Sequence, residues 1–353
     1  MQEIQVAGSN ANNVGKAVLL ASLGEPGDAS IAGQIKALVE SSRSIAISGH
    51  ERPDGDCIGS EVALCLILRE AGFKAEVVNA DPTPAKYKFM DPGIIRNPSP
   101  ETLLDADLVI VVDAPDLSRL GRLKREQFPT AKLICIDHHL RSSNFGEVNW
   151  VDTRAAAAAE LVWRLAAANG WKVPPAAFPA LYTAIMTDTG HFAYSNTTSR
   201  ILRMAAELVD LGVETEYIWR KIYLNKTHAE LLLEARARAS LECAANGRIC
   251  SISVTQADFS ATGTGPQDTE EFVGIPRSLI GVEVAIFFYE IENGRRTKAS
   301  LRSTREIDVS ALAQKFGGGG HRQAAGCTLP GNLAEAKKLL MPEAEKAIPT
   351  AAV

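Results

Sequence analysis

The chain has 353 residues, 46% of them hydrophobic and 22% charged, and carries a net charge of −5. That is the usage of packed globular domains, and the length suits two of them better than a single core. The negative charge argues against a surface that wraps long duplex nucleic acid by counterion release, whereas a small anion held at a local basic site remains compatible.

The six cysteines show no paired spacing, and Cys57, Cys65 and Cys135 lie among apolar neighbours. Reduced, buried thiols in a cytoplasmic protein are therefore expected, ahead of a disulfide or a thiol nucleophile. No charged start followed by an apolar core opens the chain, and no apolar run reaches the roughly 18 residues that a membrane crossing takes. Neither a signal peptide nor a membrane span is expected.

In chain order, residues 1–27 read as a loosely held tail. From Asp28, the residues Ile31, Ile35 and Leu38 recur at helical spacing, and a short strand follows at 44–48. A polar loop, His50-Glu51-Arg52-Pro53-Asp54-Gly55-Asp56, precedes a helix over 57–72. Strands are expected at 74–79 and at 108–112, the second ending on Asp113. A further strand at 133–136 runs into Asp137-His138-His139. A helix over 155–169 opens with five alanines, which are good helix formers and need no other explanation. Another over 178–187 delivers Asp188-Thr189-Gly190, and helices at 198–211 and 214–223 follow.

This order predicts an α/β fold. Residues 28–224 form a mostly parallel sheet with flanking helices, and such sheets bind ligands at the carboxyl ends of their strands. A charged helix over 225–244 links it to a smaller α/β domain at 245–353, with the active site in the cleft between the two. The smaller domain should hold strands at 249–254, 282–289 and 297–301 and helices at 308–316 and 333–340. Asn293-Gly294 marks a hairpin turn, which makes Arg295, Arg296 and Lys298 a solvated face.

An aspartate at a strand end is usually a turn or cap residue, and Asp-His-His taken alone reads equally well as a turn. The set His50, Asp54, Asp56, Asp113, Asp137, His138, His139 and Asp188 says more. Carboxylates with imidazoles suit Mn²⁺ or a similar divalent ion, and no paired cysteine motif points to structural zinc. So many anions in one place repel unless cations lie between them. Two ions about 3.5–4 Å apart relieve that repulsion, and they also lower the pKa of a bridging water and clamp a phosphoryl oxygen. Hydrolysis at phosphorus is the chemistry such a set suits. Further on, Gly317-Gly318-Gly319-Gly320-His321 with Arg302 reads as a phosphate cradle, with a helix expected to start just after the glycines.

The motifs His50-x-x-x-Asp54-x-Asp56-x-x-Gly59-Ser60, Asp113, Asp137-His138-His139 and Asp188-Thr189-Gly190 resemble, in order, those of the DHH phosphoesterase superfamily. Ser300-Leu301-Arg302-Ser303 and the run from Gly317 to Gly326 resemble its DHH-associated C-terminal domain. Within that superfamily the chain looks like the bacterial oligoribonuclease (nanoRNase) and 3′-phosphoadenosine 5′-phosphate (pAp) phosphatase type. The resemblance implies that His50, Asp54 and Asp113 hold one Mn²⁺, and that Asp56, Asp113, His138 and Asp188 hold a second. Mg²⁺ or Co²⁺ are alternatives. It implies that Asp113 bridges the ions, that Asp137 orients a ligand from behind, that His139 faces the scissile phosphate, and that a metal-bridging hydroxide attacks phosphorus. Arg302, Ser303, Gly318, Gly319, Gly320 and His321 would bind substrate.

Short single-stranded RNA and small phosphorylated nucleotides are the implied substrates, and a homodimer is compatible with the pattern. The rival readings are a phosphodiesterase for linear or cyclic dinucleotides such as pApA, and a non-catalytic nucleotide sensor. His191 stays outside the metal set, and Phe192 and Tyr194 are either packing residues or faces on which a base stacks.

Overall fold

The computed structural model describes residues 24–140, 142–269, 271–304 and 307–348. The chain divides into two compact units that meet between Asn225 and Lys226. Most of the tail expected at 1–27 lies outside the described residues. Glu25, near its end, pairs with Arg200 and Arg154.

The first unit begins with α1 (Asp28–Glu40), β1 (Ile45–Ser48), α2 (Gly55–Glu70), β2 (Ala75–Val78) and β3 (Ile95–Arg96). It continues through β4 (Leu108–Val112), β5 (Lys132–Asp137), β6 (Val148–Val151), α3 (Ala158–Asn169), α4 (Phe178–Asp188), α5 (Ser199–Asp210) and α6 (Thr215–Tyr223). All six strands are parallel, in the order β3-β2-β1-β4-β5-β6. Side chains alternate across the strands. Ile45, Ile47, Ile110 and Val112 join one core with the helices, while Ala46, Val109 and Val111 join a second with Leu120 and Phe128. Both faces are therefore covered, which explains strands that read as unbroken apolar runs. β3 and β6 escape such a reading because β3 is two residues long and β6 alternates buried with half-buried positions.

The strand order reverses direction between β1 and β4. Open parallel sheets leave a crevice at that point, outside the carboxyl ends of the strands. His50 follows β1 and Asp113 follows β4, so the fold itself puts them side by side.

Arg164 on α3 is fully buried and bonds the Asp28 carboxylate at 2.8 and 2.6 Å and Asp152 at 2.9 Å, which ties α3 to the start of α1. Arg164→Ala would leave the Asp28 carboxylate without its cation and Asp152 with Arg154 alone, and should destabilise the domain by about 3–5 kcal/mol in denaturant unfolding. Burial raises the Asp152 carboxyl, but hydrogen bonds from Arg154 and Arg164 outweigh it and hold the group at about 2. Its contribution is present above an unfolded value of about 3.9 and disappears as pH falls toward 2. Acid unfolding between those limits should be shallower in Arg164→Ala.

The second unit holds α7 (His228–Ala239), β7 (Glu242–Ala244), β8 (Ile249–Val254), α8 (Gln256–Thr262), α9 (Gly274–Arg277), β9 (Val284–Ile291), β10 (Arg296–Ser303), α10 (Val309–Gln314), β11 (Gly319–His321), β12 (Ala324–Pro330) and α11 (Leu333–Ala347). Its sheet runs β11-β12-β10-β9-β8-β7, with only β8 and β9 parallel. The helix expected as a connector, α7, buries Leu233 and Ala237 against Ile252, Val254 and Phe259 of this unit. The hairpin at Asn293-Gly294 is present, and Ala245-Asn246-Gly247 repeats its left-handed backbone between β7 and β8.

That second turn corrects the reading of the cysteines. It sets Cys243 of β7 opposite Cys250 of β8, and the two form a disulfide. A spacing of seven becomes a cross-strand pair once a tight turn lies between. Cys57, Cys65, Cys135 and Cys327 are buried, free thiols. No helix among the described residues is long and apolar enough to cross a membrane.

Candidate metal centre

Four segments deliver the polar side chains. His50 leaves β1, Asp113 leaves β4, Asp137 ends β5 with His138 and His139 next, and Asp188 ends α4. Asp54 and Asp56 lie at the start of α2, where Asp54 caps the helix by accepting from the backbone N–H groups of Asp56 and Cys57, both at 3.1 Å. Asp113 adopts a left-handed backbone at φ 54°, a strained state for a residue with a β-carbon and one common at functional sites.

The imidazoles are aimed. His50 bonds the Glu51 carbonyl through Nδ1 at 2.9 Å, and His138 bonds that of Ala155 through Nδ1 at 3.3 Å. In each ring Nε2 is left to face carboxylates. That of His50 lies 3.5 Å from Asp113 Oδ2 and 3.7 Å from Asp54 Oδ1. That of His138 lies 3.3 Å from Asp113 Oδ1, and 3.6 Å from both Asp56 Oδ2 and Asp188 Oδ2. Asp113 thus turns one oxygen to each histidine. The structure brings together all six side chains expected to ligate metal.

The donor set fits divalent ions. Asp113 Oδ1 is buried without a hydrogen-bond partner, and the nitrogen-to-oxygen separations exceed those of good hydrogen bonds, leaving room for a cation between the groups. Electrostatics agree. Burial raises the Asp56 carboxyl to about 7, helped by the charge of Asp113, and burial with Asp56 pushes Asp188 well above its ordinary value. Burial opposes the charged imidazoles, but Asp113 and its neighbours outweigh it and lift His50 and His138 to about 11. The carboxylates thus recruit protons to the centre, the demand that cations would meet instead.

The partner of Asp137 differs from the one expected, while His139 stands beside the centre. Asp137 was expected to orient a metal ligand, but its Oδ1 meets His139 Nδ1 at 2.7 Å, while the Ala155 carbonyl steadies His138. Asp137 is fully buried, and its Oδ2 has no hydrogen-bond partner.

Several contributors lay outside the expected set. The alanine run is the first. Ala158 and Ala159 N–H groups donate to Asp56 at 2.6 and 3.1 Å, so the N-terminus of α3 rests on a candidate ligand carboxylate. The helix begins at Ala158, preceded by Ala157 in extended backbone, and the small side chains of the run let the main chain come close. Asn196 bridges the carbonyls of Ala156 and Asp188 at 3.1 and 3.2 Å. Cys57 lies within reach of His50 and Asp113, with burial keeping its thiol well above the ordinary range. Glu61 is fully buried and bonded by Asn79 at 2.7 Å, and burial lifts its carboxyl to about 8. Only the buried polar side chains of an otherwise apolar α2 hinted at these.

Close helix packing joins Asp56 to Asp188. A β-carbon on Gly59 would lie 2.5 Å from the Ala180 carbonyl oxygen and 2.8 Å from the Ala184 side chain. Gly59→Val must therefore push α2 from α4. It should cost about 1–3 kcal/mol of stability and weaken metal binding in calorimetric titration, although residue 59 touches no ion.

In the second unit, Gly317 to Gly326 corrects another expectation. No helix starts after the glycines: β11 and β12 form a hairpin that turns at Arg322-Gln323. Gly318 is needed there, because a β-carbon would lie 2.2 Å from the Gly326 carbonyl oxygen. Ladder register places Arg302 and His321 on either side of Ala324, while the His321 side chain lies outside the described residues. Ser303 donates its hydroxyl to the Ile307 carbonyl at 2.6 Å. Gly319 has open space at its β-carbon position, on the edge strand of the sheet.

Comparison with known proteins agrees with this geometry. Residues 44–185 match the DHH family N-terminal domain, and residues 251–348 match the DHHA1 domain. The chain is 32% identical over 288 residues to the bifunctional oligoribonuclease and PAP phosphatase NrnA of Thermus thermophilus, covering 81% of this chain and 84% of that one. It is 29% identical over 291 residues to the protein of the same name from Bacillus subtilis, covering 81% and 89%. Among solved structures, an exopolyphosphatase-related protein from Bacteroides fragilis superposes with a TM-score of 0.84 at 26% identity, over 90% of this chain and 96% of that one.

Proposed function

Because the chain belongs to the DHH family of phosphoesterases and carries a DHHA1 domain behind the DHH domain, we propose that it hydrolyses short oligoribonucleotides and pAp with two divalent ions, Mn²⁺ foremost. The observation that carries this is Asp113, whose two oxygens face His50 and His138 separately. Carboxylate and imidazole donors beside a protonated thiol suit Mn²⁺, with Mg²⁺ or Co²⁺ able to replace it. Such ions, when bound, polarise a phosphoryl oxygen and make water a nucleophile near neutral pH. The relatives' printed activities toward oligoribonucleotides and PAP support the substrate class.

The chain's own residues divide the remaining work. His50, Asp54 and Asp113 would hold one ion, and Asp56, Asp113, His138 and Asp188 would hold the other. His139, kept charged and oriented by Asp137, donates toward the scissile phosphate. Arg302, His321 and the glycines at 318–320 grip a terminal phosphate, and edge-strand N–H groups supply what a helix N-terminus was expected to give. Ser303 supports this grip by fixing the Ile307 backbone rather than by touching substrate. Four buried free thiols favour the cytoplasm, against the one disulfide between Cys243 and Cys250.

Incubation of the Mn²⁺-loaded protein with pAp, pApA, a five-residue RNA and a cyclic dinucleotide tests the reading. Release of phosphate from pAp and of mononucleotides from the short RNA is expected, with both lost on chelation. Tight binding of every candidate without hydrolysis would show a sensor instead, and turnover of dinucleotides alone would show a dinucleotide phosphodiesterase.

A further inference from the structure

Immediately past Asp188, three consecutive residues adopt left-handed backbone: Gly190 at φ 56°, His191 at φ 61° and Phe192 at φ 63°. Two of them carry β-carbons, and such strain persists only where the surroundings impose it. Here the His191 N–H donates to the Met186 carbonyl at 2.8 Å, and the Phe192 N–H to Thr189 Oγ1 at 3.0 Å. The turn sends the two rings in different directions. Phe192 packs on Tyr182 at a centroid distance of 6.2 Å and joins the core. His191 is exposed and meets α6, 4.4 Å from the Tyr223 ring and 5.1 Å from Trp219. Trp219 and Tyr223 are themselves 4.4 Å apart.

Packing of α6 uses Tyr223, which lies partly buried against the core, but not the Trp219 indole. Ile218 and Ile222 already anchor that helix in the core, while Trp219 is 41% exposed. Trp150, Trp163 and Trp171, by contrast, are all at most 7% exposed. A large indole left in water is an unusual use of the residue. Arg220 and Lys221, next along the helix, are exposed cations suited to a charged ligand. His191 lies three residues from Asp188, and three residues span at most about 10 Å, the scale of one nucleotide.

The rings are inclined to one another, His191 by 66° to Trp219 and 73° to Tyr223, and Trp219 by 42° to Tyr223, so His191 and Tyr223 brace the exposed indole rather than extend its plane. We propose that Trp219, braced in this way, forms a nucleobase platform, on which a base of the substrate stacks while its phosphate occupies the carboxylate and imidazole centre. The proposal rests on the reading of the chain as a nucleotide phosphoesterase and adds the part that tells a nucleotide from a bare phosphoester. A flat indole face stacks any base and favours purines by area, so the platform recognises the base by shape rather than by a hydrogen-bond code.

Trp219 makes the test selective, since the other three tryptophans are buried. The Mg²⁺-loaded protein is titrated with 5′-AMP and with ribose 5-phosphate while tryptophan emission is followed. Saturable quenching by AMP is expected, little change with ribose 5-phosphate, and loss of the AMP response in Trp219→Phe. For hydrolysis, Trp219→Leu should raise KM for pApA about tenfold or more while kcat changes little, and KM for the abasic analogue should not rise. His191→Gly relieves the strained backbone, so it should keep the fold while KM for pApA rises. Equal responses to AMP and ribose 5-phosphate, quenching that survives in Trp219→Phe, or an unchanged KM in Trp219→Leu would each overturn the platform. AMP quenching through Trp219 in a protein that hydrolyses no nucleotide would support the platform and overturn the phosphoesterase reading alone.

Discussion

Asp113→Asn is expected to lower hydrolysis of every substrate by about a thousandfold or more, equivalent to at least about 4 kcal/mol of activation free energy. No other carboxylate faces both His50 and His138 in the described structure, at 3.5 and 3.3 Å. Removing its charge removes the group shared by the two halves of the centre. Asparagine is the informative replacement because, like aspartate, it tolerates the left-handed backbone that residue 113 adopts at φ 54°. The variant should fold normally, and equilibrium dialysis should show fewer Mn²⁺ retained per chain. Turnover within tenfold of the parent would sink the shared-ligand role.

The second large effect falls on His139. Replacement by glutamine should reduce kcat by about 100- to 1000-fold, in the range for loss of a positioned acid or electrostatic donor, with Mn²⁺ binding retained. Burial works against a charged His139, yet Asp137 at 2.7 Å and the nearby charge of Asp113 raise its pKa above the ordinary imidazole value. The imidazolium is therefore favoured beyond its ordinary range, and activity that depends on it must fall as pH rises through that elevated pKa. The parent should show this basic limb, and His139→Gln should lack it. Asp137→Asn keeps the hydrogen bond but not the charge, so its limb should move down toward the ordinary value of about 6.5. A full-rate His139→Gln enzyme, or a limb that stays in place in Asp137→Asn, would remove the pair from the chemistry.

What the sequence made legible follows from how each group is encoded. His50, Asp113 and Asp137-His138-His139 stand at the ends of apolar strands, and parallel sheets gather such ends in one place, so their meeting could be read from strand order alone. The metal set declared itself through side chains that seldom cluster otherwise. Groups acting through their backbone left no such trace. Ala155 holds His138, and Ala158 with Ala159 hold Asp56, yet alanines announce only helix propensity. The Gly317 to Gly320 run was misread as a helix start because glycine permits a close-packed hairpin as readily as a loop. Cys243 and Cys250 paired across a turn that reads as a pair only when Ala245-Asn246-Gly247 is recognised as the same device as Glu292-Asn293-Gly294. Phe192 and His191 could not be told apart before the turn directed one ring inward and the other out.

The short stretch from Ala155 to Ala159 ties three ligands to one another. It receives Asp56 on its N–H groups, steadies His138 through a carbonyl, and reaches Asp188 through Asn196. The three residues come from different elements, α2, the end of β5 and the end of α4, and this stretch is a contact they share. Loosening this one stretch of backbone is therefore expected to weaken the placement of all three candidate ligands together.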